Sequence, residues 1–163
     1  MDNYELFTIA RAIHVLGVVF WIGGVAFVTT VLIPALRQHG DAGARLAQFE
    51  RLEGRFARQA RWITLATGIS GFLMVDFLDA WARYQDLTFW WMHLMTLIWA
   101  IFTLALFVLE PLFLHRQFHE RAVRDDTGAF VLLHRMHTIL LSLSVVAVLG
   151  AVAGAHGLHL FGR

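Results

Sequence analysis

The sequence predicts an all-α integral membrane protein, an up-down-up-down bundle of four helices. Three observations predict it. Of 163 residues, 58% are hydrophobic and 15% charged, against about 25% charged in soluble domains, and the mean hydropathy is +0.63. Apolar runs long enough to cross the hydrocarbon core as helices, which takes about 20 residues, recur along the chain. Arginine is confined largely to alternate connections, and short connections favour an antiparallel bundle. The whole chain, 1–163, reads as one transmembrane domain with no soluble domain left over.

The first span covers roughly 6–36, with Pro34 near its end. Its start, "MDNYELFTIARAIHV", lacks a basic n-region and a small-residue cleavage site, so the first helix is expected to stay in the mature protein. Residues 42–61 follow. In "ARLAQFERLEGRFARQAR", Leu46, Phe49, Leu52 and Phe56 recur at helical spacing with arginine on the other faces. That pattern is a basic amphipathic helix, lying at the interface or extending the next span. The second span covers roughly 62–81, the third roughly 88–115, and the fourth roughly 130–160.

Orientation follows from arginine, which supplies every basic residue. The first link carries Arg37, Arg45, Arg51, Arg55, Arg58 and Arg61; the link between spans three and four carries Arg116, Arg121 and Arg124, with Arg135 just inside the next helix. The other side holds Arg11, Arg83 and Arg163 among Asp2, Glu5, Asp76, Asp79 and Asp86. The positive-inside rule places both links in the cytoplasm and both termini outside.

No cysteine is present, which excludes disulfides, thiolate metal sites and cysteine-ligated iron–sulfur clusters. No nucleotide-binding loop and no Ser-His-Asp arrangement occurs, and the basic residues follow membrane topology rather than a nucleic-acid footprint. Chemistry therefore falls to the nine histidines. His14, Gly17, Trp21, Gly24 and Val28 are spaced by three and four along one stripe of the first helix. His93 lies at a matching outer depth in the third, followed by Thr96, Ala100 and Thr103, and the second offers Thr64, Thr67, Gly68 and Gly71. An imidazole in hydrocarbon needs a partner. The depth match predicts that His14 and His93 face each other as the ligand pair of a b-type haem, with Gly17, Trp21, Gly24, Gly68 and Gly71 shaping its pocket.

At the inner end, His115 and His119 close span three, and His134 and His137 open span four. These four suit a second haem or a metal ion, or simple solvation at the interface; His137 is the deepest. His39 is isolated, and His156 and His159 read as exposed terminal residues. Glu110, before Pro111, is assigned to a proton relay, to pairing with Arg135, or to the interface. Met92 and Met95 flank His93 and are soft ligands for Cu(I), but adjacent positions do not share its helix face.

"RAIHVLGVVFWIGG" resembles the first helix of the CopD-like and HemJ-like membrane proteins, in which a helical His is followed seven residues on by Trp and then Gly. "WWMHLM" resembles the HemJ segment where Trp-x-His enters the membrane. The specific matches are His14, Trp21, Gly24 and His93. The HemJ resemblance implies haem-b binding and protoporphyrinogen oxidation, with His14 and His93 functional. HemJ-type proteins carry a lysine two residues after the third-helix histidine; this chain has Met95 there and no lysine anywhere. The CopD resemblance implies copper transport or resistance, with copper as the alternative cargo.

Together these readings describe a bacterial inner-membrane protein carrying electrons through haem b, one per chain or two with the inner histidines. It would work between a quinol and a partner redox protein, an oxidoreductase role. The remaining alternative is a non-catalytic subunit of a homo-oligomer or larger membrane complex, packing through "GAVAG" from Gly150 to Gly154.

Overall fold

A computed structural model describes residues 3–38 and 41–158, and these are helical almost throughout, with no strand among them. Helix α1 (Asn3–Phe27) passes without a break into a π-helical turn (Val28–Leu32) and then α2 (Ile33–Arg37). The widening has a local cause. Pro34 has no amide hydrogen and its ring crowds the carbonyl four residues back, so the turn before it opens. Thr29 and Thr30 donate their hydroxyls to Val25 O at 2.7 Å and Ala26 O at 2.8 Å, so neither carries an unmet polar group outward.

The predicted amphipathic segment and second span form one helix, α3 (Ala42–Phe77), of 36 residues. Asp41 caps its start by accepting from Gly43 N and Ala44 N. At 1.5 Å per residue α3 is about 54 Å long, well beyond the ~30 Å hydrocarbon core. It ends in a left-handed cap at Asp79 (φ 47°), with Ala80 N donating to Val75 O at 2.9 Å. Two 3₁₀ turns (Trp81–Gln85 and Leu87–Phe89) lead into α4 (Trp90–Leu104). A second π-helical stretch (Ala105–Leu114), which contains Pro111, continues into α5 (His115–Arg124). Asp125 then caps α6 (Asp126–Ala155) through Gly128 N, and Gly157 (φ 85°) closes that helix.

Helix α1 packs along α3, α3 against α4, α4 against α6, and α6 against α1. At one end of this ring Phe49, Phe118 and Phe130 meet edge-on or tilted at 5.2–5.7 Å over Ile33 and Leu36. Midway, Trp21 packs edge-on to Phe102 at 5.0 Å beside Val25, Ile98 and Ala147.

Among the described residues three helical stretches are long and apolar enough to cross a membrane: Tyr4–Arg37, Leu87–Glu110 and Asp126–Ala155. Their apolar side chains largely face outward. In the most apolar window of Leu87–Glu110 only 6% of residues are buried. Apolar surface this continuous is not tolerated in water, and a lipid surround accounts for it. In α3 the apolar stretch is shorter, held between Arg61 and Asp76.

Candidate functional site

A cavity of about 240 Å³ lies between the helices, toward the end where the α3–α4 connection crosses. Helix α1 contributes His14 and Trp21, α3 contributes Gly68, Gly71 and Phe72, α4 contributes Met92, Met95 and Trp99, and α6 contributes Ser144 and Ala147. The turn Trp81–Gln85 caps it through Arg83 and Tyr84.

His14 is the chemical centre of this space. Its Nδ1 lies 2.9 Å from Thr67 O. A carbonyl oxygen only accepts, so Nδ1 must carry the proton and the neutral ring presents a lone pair at Nε2. Nε2 has no partner among the described residues. Gly71 lets α3 approach the ring: a Cβ there would sit 3.0 Å from His14 Cε1. Trp21, on the same wall, has a buried Nε1–H with no partner among the described residues. An unpartnered acceptor and a buried, unpartnered donor thus border one apolar, aromatic-lined cavity. A buried donor left this way calls for a ligand or water.

His93 is placed differently. Its Nδ1 lies 3.2 Å from Phe89 O and its Nε2 3.0 Å from Tyr84 O, and a neutral ring, with one N–H, donates to one of these two carbonyls. It is not among the residues lining the cavity. The expected opposition of His14 and His93 is therefore absent from this structure. The reason is rotational. The face of α4 on the cavity is Met92, Met95, Thr96 and Trp99, at helical spacing, whereas Ala100 of the expected His93–Thr96–Ala100–Thr103 stripe is exposed. His93 instead fixes the cap, helped by a 2.8 Å hydrogen bond between Tyr84 Oη and Thr96 Oγ1.

The expected pocket glycines divide. Gly68 and Gly71 line the cavity with Trp21. Gly17 and Gly24 do not; Cβ atoms there would fall 2.2 Å from Thr67 Oγ1 and 2.3 Å from Phe56 Cε2, so these two let α1 lie close on α3.

The inner histidines do not assemble a metal site among the described residues, where no three His, Cys, Asp or Glu side chains converge. His119 pairs with Glu50 at 2.7 Å. His137 Nδ1 bonds Leu133 O one turn back at 3.0 Å, and His134 is half-buried. The His115 side chain, His39 and His159 lie outside the described residues. His156 is exposed, its Nδ1 bonded to Val152 O. Glu110 pairs with Arg61 rather than with Arg135, and Arg61 Nε also donates to Leu106 O at 2.9 Å, a carbonyl in the π-helical stretch. Sequence reasoning placed Thr67 beside Gly68 and Gly71 but missed the role of its carbonyl, and it missed Tyr84 and Trp99. Trp99 had a signal, standing three and four residues beyond Thr96 and Met95; the carbonyls of Thr67 and Tyr84 had none.

No protein-family model matches the chain, and neither a curated protein nor a solved structure matches it.

Proposed function

We propose that the chain is a four-span protein of the bacterial inner membrane that binds one b-type haem through His14 and exchanges electrons with a membrane quinol. One observation carries this reading. The Thr67 carbonyl holds the His14 Nδ1–H, which fixes the tautomer and aims basicity at Nε2, the arrangement that metal-ligating histidines adopt almost without exception. The donor chemistry fits His14 as a residue that would hold the iron. It does not bring in His93, which is not among the residues lining the cavity. Thioethers of Met92 and Met95 stand on the cavity wall and would hold the group together with His14. Room is the tighter condition: about 240 Å³ is below the ~300–1,000 Å³ of ordinary ligand pockets.

A haem held there supplies one-electron exchange at its iron. The chain's own part is to orient His14 through Thr67, to exclude water with Trp21, Phe72 and Trp99, and to offer the Trp21 Nε1–H to an acceptor. In this reading α3 also crosses, from Trp62 to Phe77, with both arginine-rich links in the cytoplasm and both termini outside. The absence of lysine weighs against protoporphyrinogen oxidation. Copper is the second reading, favoured because His14, Met92 and Met95 line one cavity and form a soft donor set suited to Cu(I).

The test is a reduced-minus-oxidised visible spectrum of the detergent-purified protein, with a pyridine haemochrome assay and metal analysis. One haem b per chain is expected. A colourless protein from iron- and haem-sufficient cells overturns the reading, and copper without iron in that protein establishes the second one.

A further inference from the structure

We infer that α3 carries a binding site for an anionic phospholipid, with the phosphate headgroup held by Arg51, Arg55 and Arg58. The three residues and Trp62 are spaced by four, three and four, so they fall on one face of one helix, and all four are exposed. Trp62 is 76% exposed. The same face continues into exposed Ile69 and Leu73. Along a single line the helix thus presents cations over about 10 Å, then an indole, then aliphatic side chains. Headgroup, interface and acyl chain of a lipid have that order, and indoles settle at the boundary between them.

The arginines are also free for such a ligand. Their neighbours on the helix are committed: Arg45 pairs with Asp126, and Arg61 pairs with Glu110. Arg51, Arg55 and Arg58 make no ion pair among the described residues. Glu50 and Glu53 project well away from this face, and Glu50 is held by His119. Three unopposed guanidiniums above a lipid-facing surface match a phosphate's charge and its bidentate geometry. The inference rests on α3 crossing the membrane as proposed above.

The full chain, purified in mild detergent, is titrated with dioleoyl phosphatidylglycerol or dioleoyl phosphatidylcholine and read by native mass spectrometry. Phosphatidylglycerol adducts are expected to dominate and to persist in millimolar inorganic phosphate. Affinity should fall about fivefold for each arginine replaced by glutamine, so that R51Q/R55Q/R58Q no longer tells the two lipids apart. R51K/R55K/R58K, which keeps the charge but loses the bidentate geometry, should weaken the preference without abolishing it, and R116Q/R121Q/R124Q should leave it unchanged. Equal binding of both lipids by the wild type, or a preference undiminished in R51Q/R55Q/R58Q, overturns the proposal, as does displacement of the lipid by inorganic phosphate. Because the chain has no cysteine, Arg55→Cys and Leu87→Cys, at opposite ends of α3 and its connection to α4, give a clean topology readout in intact cells. Labelling of both positions or of neither from outside overturns the crossing of α3, whereas labelling of Leu87→Cys with Arg55→Cys protected and no lipid preference overturns the lipid site alone.

Discussion

Gly68→Ala tests the α3–α4 contact that forms one wall of the cavity. A Cβ at this position would lie 2.3 Å from both Cε2 and Nε1 of Trp99 and 2.6 Å from Cζ2. Ordinary contact begins near 3.4 Å, so the indole must retreat by about 1 Å, beyond what bond flexing absorbs. Its Nε1 donates to Thr64 O at 2.9 Å, and that bond is lost in the move. Overpacking costs about 1–3 kcal/mol, and a stranded indole N–H about 1–3 kcal/mol more. The lower half of the sum is expected, about 2–4 kcal/mol, because Trp99 borders the cavity and has somewhere to go. The assay is reversible unfolding in dodecylmaltoside titrated with SDS, followed by far-UV circular dichroism. Gly54→Ala is the control: it lies in the same helix, an added Cβ meets nothing, and helix propensity alone should stabilise by up to about 1 kcal/mol. A Gly68→Ala protein as stable as Gly54→Ala would refute the packing argument.

Glu110→Gln leaves the part-buried Arg61 without its counter-charge while Leu106 O still accepts from its Nε, and should cost about 1–3 kcal/mol in the same unfolding assay; Arg61→Gln/Glu110→Gln should recover part of that loss. Thr96→Val removes the partner of Tyr84 Oη. It should cost about 1 kcal/mol and raise the labelling rate of a cysteine placed at Met95, since the cap loses a hydrogen bond to α4. At the surface, the hydrogen bond from Arg116, then its charge, holds the Glu120 carboxyl below its ordinary value. A depressed folded-state value means this contribution is present above the unfolded carboxylate value and lost as pH falls through the lowered one. NMR titration of Glu120 should show its midpoint rising in Arg116→Gln, and an unchanged midpoint would contradict the pairing.

The helices were legible because composition and periodicity act over long windows. The caps at Asp41 and Asp125 and the π-helical turn before Pro34 were not read from the sequence, although each rests on a local residue type. The continuity of α3 through Arg61 into Trp62 was one of two readings that the pattern permits, since an amphipathic helix looks the same on a membrane surface as above a span. The cavity was half legible. His14 and Trp21 share a stripe by spacing alone, and both line it. His93 shows what spacing omits: depth in a membrane is readable from sequence, but the rotation of a helix about its axis is set by packing. On α4 Trp99 turns toward Thr64 O and His93 toward the Tyr84 carbonyl, one position around from the expected face. Backbone carbonyls decided the fate of both histidines, and no side-chain pattern reports where those carbonyls point.

The central claim is that His14 is the ligand-bearing histidine and His93 a fastener of the cap. The reduced-minus-oxidised spectra of His14→Ala and His93→Ala, purified beside the wild type with haem quantified per chain, test it most directly. The account predicts that His14→Ala loses the b-type bands while His93→Ala keeps them. Equal loss of the bands in both variants would contradict it, and would make the two histidines a ligand pair after all.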